Sequence, residues 1–464
     1  MKAVIYSIFI GLLFLDPLLS HASSKNRSLS CQKHLLKLKE NGYQYKWLSV
    51  PENYHEPQSR KIEVFYYWKI FHQESPLIAY FNGGPASSSH ASFNLYLRKK
   101  PNGYNFVFID QRGTGCSSLY PEMKEENIAR YQYYFHESIV RDAERIRESL
   151  LKKSQKWIIF GQSFGSKIVH QYISLFPHSI RAAFAHGAVP EENNDPFKSV
   201  VSKSLNQIKM NKKYFQKHSD DKNGIKLIRA KVRHNNPQEP YCISRDDVKL
   251  CGIESILATM GFFLGKTTNW DSIHQAIEKL SHLAKTNTSA FFKEFNRIFE
   301  KNAFDILEMN GPIEILMRVQ AKKEGHYKTS MFDKRDSFKN ELDQALLKTG
   351  RVHLDDLQLR SEATFEQGLE SKLISKVETL ELDPPSHRLT PRSVIEGLNN
   401  NPSLDFYLYA SGLDTRTPPD KYEDMKKAGD GLLKFHLFPN GDHQDYHKQK
   451  KIWDDLDSIY FESI

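Results

Sequence analysis

The chain has 464 residues, 65 Lys and Arg against 56 Asp and Glu, a formal charge of +9, and 39% hydrophobic residues. A chain of this size buries a large core and makes two or three domain-sized units, or a single decorated one. The positive excess concentrates between Lys203 and Glu239, but aromatic residues do not alternate with it in the way a nucleic-acid platform requires, so no nucleic-acid partner is expected. The run reads as a solvated lysine-rich helical face, with steering of acidic substrates as the alternative.

Residues 1–22 read as a secretory signal: Lys2, an apolar run from Ala3 to Leu15, then Ser20-His21-Ala22 as a small-residue cleavage site. The apolar run is too short to span a bilayer, so a secreted or periplasmic protein with no membrane association after cleavage is expected. Four cysteines in an exported chain permit disulfides. Cys242 and Cys251 are spaced for a local staple, which leaves Cys31 and Cys116 for a second bridge. No Cys or His cluster has zinc spacing, so no metal is expected.

Tyr45 to Val50 and Lys61 to Ile70 read as an opening hairpin, and the second strand alternates Ile62, Val64 and Tyr66 with Lys61, Glu63 and Phe65. Leu77 to Phe81 and Phe106 to Ile109 are short continuous apolar runs, as in strands covered on both faces. A helix follows, with Ile139, Val140, Ala143, Ile146 and Leu150 at helical spacing. Lys156 to Phe160 is a further strand and Arg181 to Ala188 another. Between them Gly161-Gln162-Ser163-Phe164-Gly165 sits at a strand-to-helix junction, where flanking glycines let the backbone turn with no Cβ in the way and expose the serine hydroxyl. The following helix puts Ile168, Val169, Tyr172, Ile173 and Phe176 on one face. From Pro190 to about Asn401 long Lys- and Glu-rich stretches have helical period, and strands return at Phe406 to Tyr409 and Leu432 to Phe438. The simplest architecture is an alternating strand–helix core, residues 23–190 and 402–464, interrupted by a mainly helical insertion at 191–401.

A serine hydroxyl is a poor nucleophile at neutral pH; a base must take its proton and a third group must hold that base in the right tautomer. In a strand-first hydrolase core the partners follow the serine in the order acid, then histidine, on loops after later strands. Asp414 follows the first returning strand and His443 the second, so Ser163, Asp414 and His443 are the expected catalytic residues. Asp420 lies beyond Pro418-Pro419, Asp442 adjoins the base itself, and His447 is four residues past it. An oxyanion requires backbone N–H donors, each worth roughly 2.7–4 kcal/mol. Phe164 N–H, after the nucleophile, and Gly84 N–H, in the glycine-rich loop after Phe81, are the expected pair.

With these residues assembled, the chain resembles the prolyl iminopeptidase and tripeptidyl aminopeptidase family of α/β-hydrolase serine exopeptidases. Asn82-Gly83-Gly84-Pro85 is similar to the family's H-G-G-P-G, and Asp110 to Ser117 is similar to its D-Q-R-G-x-G-x-S. Gly161 to Ser166 matches the elbow, Gly412 to Pro418 matches G-x-x-D-x-x-T-P, and Leu48 to Tyr54 is similar to the exported tripeptidyl branch. Asn82 stands for the usual histidine, Ala86 for the loop's last glycine, and Phe164 where Trp or Tyr is frequent. The resemblance implies an α/β-hydrolase fold, a mostly parallel sheet with helices on both faces and a large helical cap. It also implies release of residues or short peptides from the N-termini of a peptide substrate, with no metal or organic cofactor. Relatives bind the substrate amine with acidic residues at the base of the cap, for which Glu191 and Glu192 are the nearest candidates here, with solvated cap-entry acids as the alternative. Asp110 to Arg112 reads as structural, its charges tying loops together. A carboxylesterase on the same scaffold and a catalytically silent binding protein are the alternatives.

Overall fold

The computed structural model describes residues 28–462 apart from 91, 95–102, 192–195, 236–240, 246–247, 254–255, 258–262, 324–375, 378 and 384–386. The expected signal at 1–22 therefore lies outside the described residues, as does Glu192. The elements in chain order are α1 (Leu29–Glu40), β1 (Gln44–Pro51), β2 (Lys61–Trp68), β3 (Ile78–Phe81), β4 (Phe106–Ile109), α2 (His136–Leu150), β5 (Trp157–Gln162), α3 (Phe164–Leu175) and β6 (Ile180–His186). Then come α4 (Pro196–Lys217), α5 (Asp221–Asn235), β7 (Cys242–Arg245), β8 (Val248–Cys251), α6 (Trp270–Thr286) and α7 (Thr288–Lys323). The chain returns with α8 (Pro391–Asn400), β9 (Asp405–Ser411), α9 (Glu423–Ala428), β10 (Lys434–Phe438) and α10 (Lys450–Phe461).

Eight strands form one sheet in the order β1-β2-β4-β3-β5-β6-β9-β10. The β1–β2 hairpin and the β2–β4 pair are antiparallel, and every pairing from β4 to β10 is parallel. Both faces are covered. Val64, Tyr66, Ala79, Val107 and Ile159 pack with Ile139 and Val140 of α2, Ile168 and Tyr172 of α3, and Val394 and Leu398 of α8. Phe65, Tyr67, Ile78, Phe106 and Ile158 pack on the opposite face with Leu38 of α1 and Ile452, Leu456 and Tyr460 of α10. Two-sided burial explains why the expected alternation in β2 stops at Val64: from there to Trp68 every side chain is buried.

Register is marked by an aromatic row. Tyr67, Phe108, Tyr80, Phe160, Phe184 and Tyr407 are paired neighbours across six successive strands. Adjacent rings are offset-stacked at Tyr67–Phe108 (5.2 Å), Tyr80–Phe160 (5.7 Å) and Phe184–Tyr407 (4.8 Å). A slip by one residue would send each ring to the other face, so this row and the apolar pattern specify the same pairing. The sheet matters for the site because its parallel strands end at one edge, where β5, β6, β9 and β10 deliver the loops described below.

The described residues form two compact units, one of Gln207–Asn310 and one holding the sheet, α1, α8 and α10. Cys31 of α1 is bonded to Cys116, closing a separation of 85 residues, and Cys242 to Cys251 across the β7–β8 hairpin, a separation of 9. Among the described residues no helix is long and apolar enough to cross a membrane.

Candidate active site

β5 ends at Gln162 and α3 starts at Phe164, so Ser163 alone makes the turn. Its φ of +56° is a left-handed conformation that costs a non-glycine residue on the order of 1–3 kcal/mol. The strain is held from both sides: Ser163 N–H donates to His186 O (2.7 Å) and Ser163 O accepts from Ser166 N (2.8 Å). The flanking glycines act by close approach. A Cβ on Gly161 would lie 2.1 Å from Gly165 O, and one on Gly165 would lie 2.0 Å from Phe81 O on β3. No side chain fits at either place.

His443 follows β10 and Asp414 follows β9. His443 Nε2 lies 2.8 Å from Ser163 Oγ, and Nδ1 lies 2.7 Å from Asp414 Oδ2. With the ring proton on Nδ1 facing the carboxylate, the Nε2 lone pair faces the serine hydroxyl. Asp414 is fully buried, and its other oxygen accepts the Arg416 and Thr417 N–H groups at 2.7 and 2.8 Å. Asn206 donates its side-chain amide to Asp414 O. The carboxylate thus has two backbone donors in fixed positions, and the Asn206 bond holds its main chain, which together orient it toward the imidazole.

Several residues outside the expected set build this geometry. Gln162 Nε2 donates to His443 O (3.0 Å). Gly187 has φ +85°, and a Cβ there would sit 3.2 Å from His443 Cε1. Thr417 Oγ1 donates to Gly187 O (2.7 Å) while Gly187 N–H donates to Tyr422 OH (3.1 Å), so the backbone beside the base is clamped twice. His186 is buried behind the site with Nε2 at 3.0 Å from Ser411 Oγ, and burial pushes its imidazole down to about 4. The only sequence signals for these residues were their places at strand ends and, for Thr417, the motif around the acid.

The competing acids and histidine have other partners. Asp442 Oδ1 accepts Gln444 N–H (2.8 Å), Asp420 accepts Ser202 Oγ (2.6 Å), and His447 O accepts Trp453 Nε1 (3.0 Å). Phe164 heads α3, where the first N–H groups have no carbonyl within the helix to bond. Gly84 lies in the loop after β3 at φ +127°. Asn82 fastens that loop: Nδ2 donates to Ser88 O (2.9 Å), and its own carbonyl accepts Gln111 Nε2 (2.9 Å). Ala86, at φ +70°, occupies the conformation that a glycine favours. Glu191 gives its carboxylate to Lys421 Nζ at 2.8 and 2.9 Å, so its charge is already balanced within the chain.

Asp110 and Arg112 face inward. Asp110 accepts Ser89 N–H and Cys116 N–H, both at 2.8 Å, and burial raises its carboxyl against those bonds. Arg112 is paired with Asp142 at 2.6 and 2.7 Å and donates to the carbonyls of Pro51, Glu52 and Tyr133. Among the described residues, the one grouping of His, Cys, Asp and Glu with ligand atoms close enough for a shared ion is His218, Asp221 and His274, in the other unit.

A strained serine between a parallel strand and a helix, with an imidazole and a buried carboxylate on later strand ends, is the arrangement of the α/β-hydrolase fold. Residues 76–224 match the family model of the alpha/beta hydrolase fold, and the chain is a member of that fold class. Within it, the chain is 27% identical over 209 residues to proline iminopeptidase aneH of Aspergillus aculeatus, covering 40% of this chain and 46% of that protein. It is 36% identical over 124 residues to proline iminopeptidase of Aeromonas sobria, covering 25% and 29%. The aligned part is thus less than half the length of either relative. Proline iminopeptidase of Mycobacterium smegmatis superposes at a TM-score of 0.39 with 11% identity, covering 90% of this chain and 98% of that one.

Proposed function

We propose that the protein is an exported serine aminopeptidase that releases single residues or short peptides from substrate N-termini. The observation that carries this reading is the unbroken path from Ser163 Oγ through His443 to Asp414, 2.8 and 2.7 Å long, ending on a hydroxyl at a strained turn. Ser163 attacks the scissile carbonyl carbon as its proton moves to His443 Nε2. The imidazolium so formed is stabilised by Asp414, which keeps Nδ1–H in place. Negative charge on the carbonyl oxygen is met by Phe164 N–H and Gly84 N–H. Collapse expels the amine, which takes the proton from Nε2. Water then repeats the sequence on the acyl-enzyme and frees Ser163.

In this proposal residues 191–401 are the helical cap domain, residues 1–22 the export signal, and residues 23–190 with 402–464 the catalytic body. Two disulfides support an oxidising compartment, secreted or periplasmic. The relatives' names support a peptide substrate. A substrate amine bound at Glu191 has to take the place of Lys421 Nζ, the strongest constraint on that residue's role.

Free and N-acetylated forms of the same peptides, assayed beside p-nitrophenyl esters, test the reading. Cleavage of the free peptides alone is expected. Equal cleavage of blocked and free peptides would remove the aminopeptidase assignment, and turnover of the esters alone would make the protein a carboxylesterase.

A further inference from the structure

We propose that His218, Asp221, Asp271 and His274 form a binding site for a divalent transition-metal ion of the zinc class. His218 lies in the turn after α4, and Asp221 opens α5 three residues later. Asp271 and His274 stand three apart on α6, so they share one face of that helix. α5 and α6 touch closely at Gly224, where a Cβ would sit 2.6 Å from Ser281 Oγ and 2.7 Å from Ile277 Cγ2.

The donor atoms converge in two pairs. His274 Nδ1 is 2.9 Å from Asp221 Oδ1, and His218 Nε2 is 3.5 Å from Asp271 Oδ1. Ligand atoms on a tetrahedral zinc ion, at about 2.0–2.1 Å from it, lie about 3.3 Å apart. Both pairs are within a few tenths of an ångström of that edge. One ligand atom from each of His218, Asp221 and His274 lies within 4.8 Å of the others. The two imidazoles are stacked with ring centres 4.3 Å apart.

A second observation points to a ligand. The His218 side chain is nine-tenths buried, and its Nε2 makes no hydrogen bond. A buried imidazole nitrogen left unpaired is costly, and an ion is one of the few things that satisfy it. Tyr214 OH donates to Asp221 Oδ2, the outer hydrogen bond that orients a ligating carboxylate, and leaves Oδ1 for the ion. Lys217 Nζ, 2.6 Å from Asp271, is the competing cation, and the ion would displace it.

Two imidazoles with two carboxylates suit zinc, cobalt or nickel better than calcium or magnesium, which take all-oxygen shells. The ion would staple the α4–α5 turn to α6. The pattern His-x-x-Asp followed some fifty residues later by Asp-x-x-His contains no cysteine and does not read as a zinc motif, which is why the spacing alone predicts no metal.

The test uses the untagged full chain, stripped with EDTA and titrated with Zn²⁺ by calorimetry, with bound metal counted after dialysis. One Zn²⁺ per chain is expected, with a higher Tm when zinc is present. His218→Ala and His274→Ala should each weaken binding at least about tenfold, and His234→Ala, on an exposed part of α5, should leave it unchanged. Asp271 is largely exposed, so Asp271→Asn keeps the fold and carries the test if His218→Ala does not fold. A folded wild type that takes up no zinc overturns the proposal. So does uptake that is undiminished in every folded variant.

Discussion

Arg112–Asp142 and His443–Asp414 are both buried pairs of a carboxylate and a cationic or cation-capable side chain, with contacts of 2.6 and 2.7 Å. They differ in what they leave unfinished. The five N–H donors of Arg112 meet five acceptors, two on Asp142 and three backbone carbonyls, so the cluster has nothing left to give. The His443 chain stops at Ser163 Oγ, a hydroxyl that can lose its proton down the path by which it is held. A saturated cluster ties β1, the turn before α2, and α2 together, while the unsaturated one has the form that the proposed chemistry needs. Burial and short distances are common to both, so neither feature by itself distinguishes a structural ion pair from a catalytic one.

Ser163→Ala breaks the comparison at its most sensitive point. We expect kcat/KM on free peptides to fall by about 10⁶-fold, and Asp414→Asn by about 10⁴-fold, with little change in Tm. Steady-state kinetics beside a thermal melt checks both halves, and a large loss of Tm would mean that the relay also holds the fold. Arg112→Met should do the reverse: it leaves Asp142 buried and unpaired, costs about 3–5 kcal/mol in a denaturant titration, and spares kcat in the folded fraction. A catalytic defect in folded Arg112→Met would erase the distinction.

Acid sharpens it from another direction. Burial holds His186, behind the triad, and His170, in α3, down to about 4, and His34 to about 3. The unfolded chain takes up protons on these residues near pH 6.5 and the folded chain does not, so their contribution is full above 6.5 and is lost as pH falls toward 4. Melting curves across that range should show Tm falling as stability drops by on the order of a few kcal/mol in all, and flat above pH 7. A flat Tm down to pH 4.5 would mean that these histidines are not held neutral.

Gly187→Ala tests the space around the base. A methyl group 3.2 Å from His443 Cε1, at φ +85°, should push the ring away and lower kcat roughly a hundredfold, with a smaller effect on KM. The smallest effect is expected from Ala86→Gly, which relieves a φ of +70° at the cost of unfolded-state entropy and should stabilise by less than about 1 kcal/mol in denaturant titration.

Local physics made much of this molecule legible in the sequence. Short apolar runs marked β3, β4, β5 and β9 because strands buried on both faces need no alternation. The glycines around Ser163 marked the elbow because no Cβ fits beside β3. The placement of Asp414 and His443 beside Ser163 was legible because parallel strands end on one edge.

Other features depended on contacts between distant segments. Where the alternation in β2 stops was decided by α1 and α10 closing over a second face. The partners of Arg112 lie on three segments remote from it in sequence, and Glu191 meets Lys421 across 230 positions. Gly187, Thr417 and Tyr422 clamp the base through one backbone unit whose neighbours no periodicity encodes, and His218 comes near His274 only because α5 lies against α6. Period and spacing record the company a residue keeps within its own turn or strand. Which pair is saturated and which is left open depends on groups brought from elsewhere in the chain, and only the tertiary structure brings them.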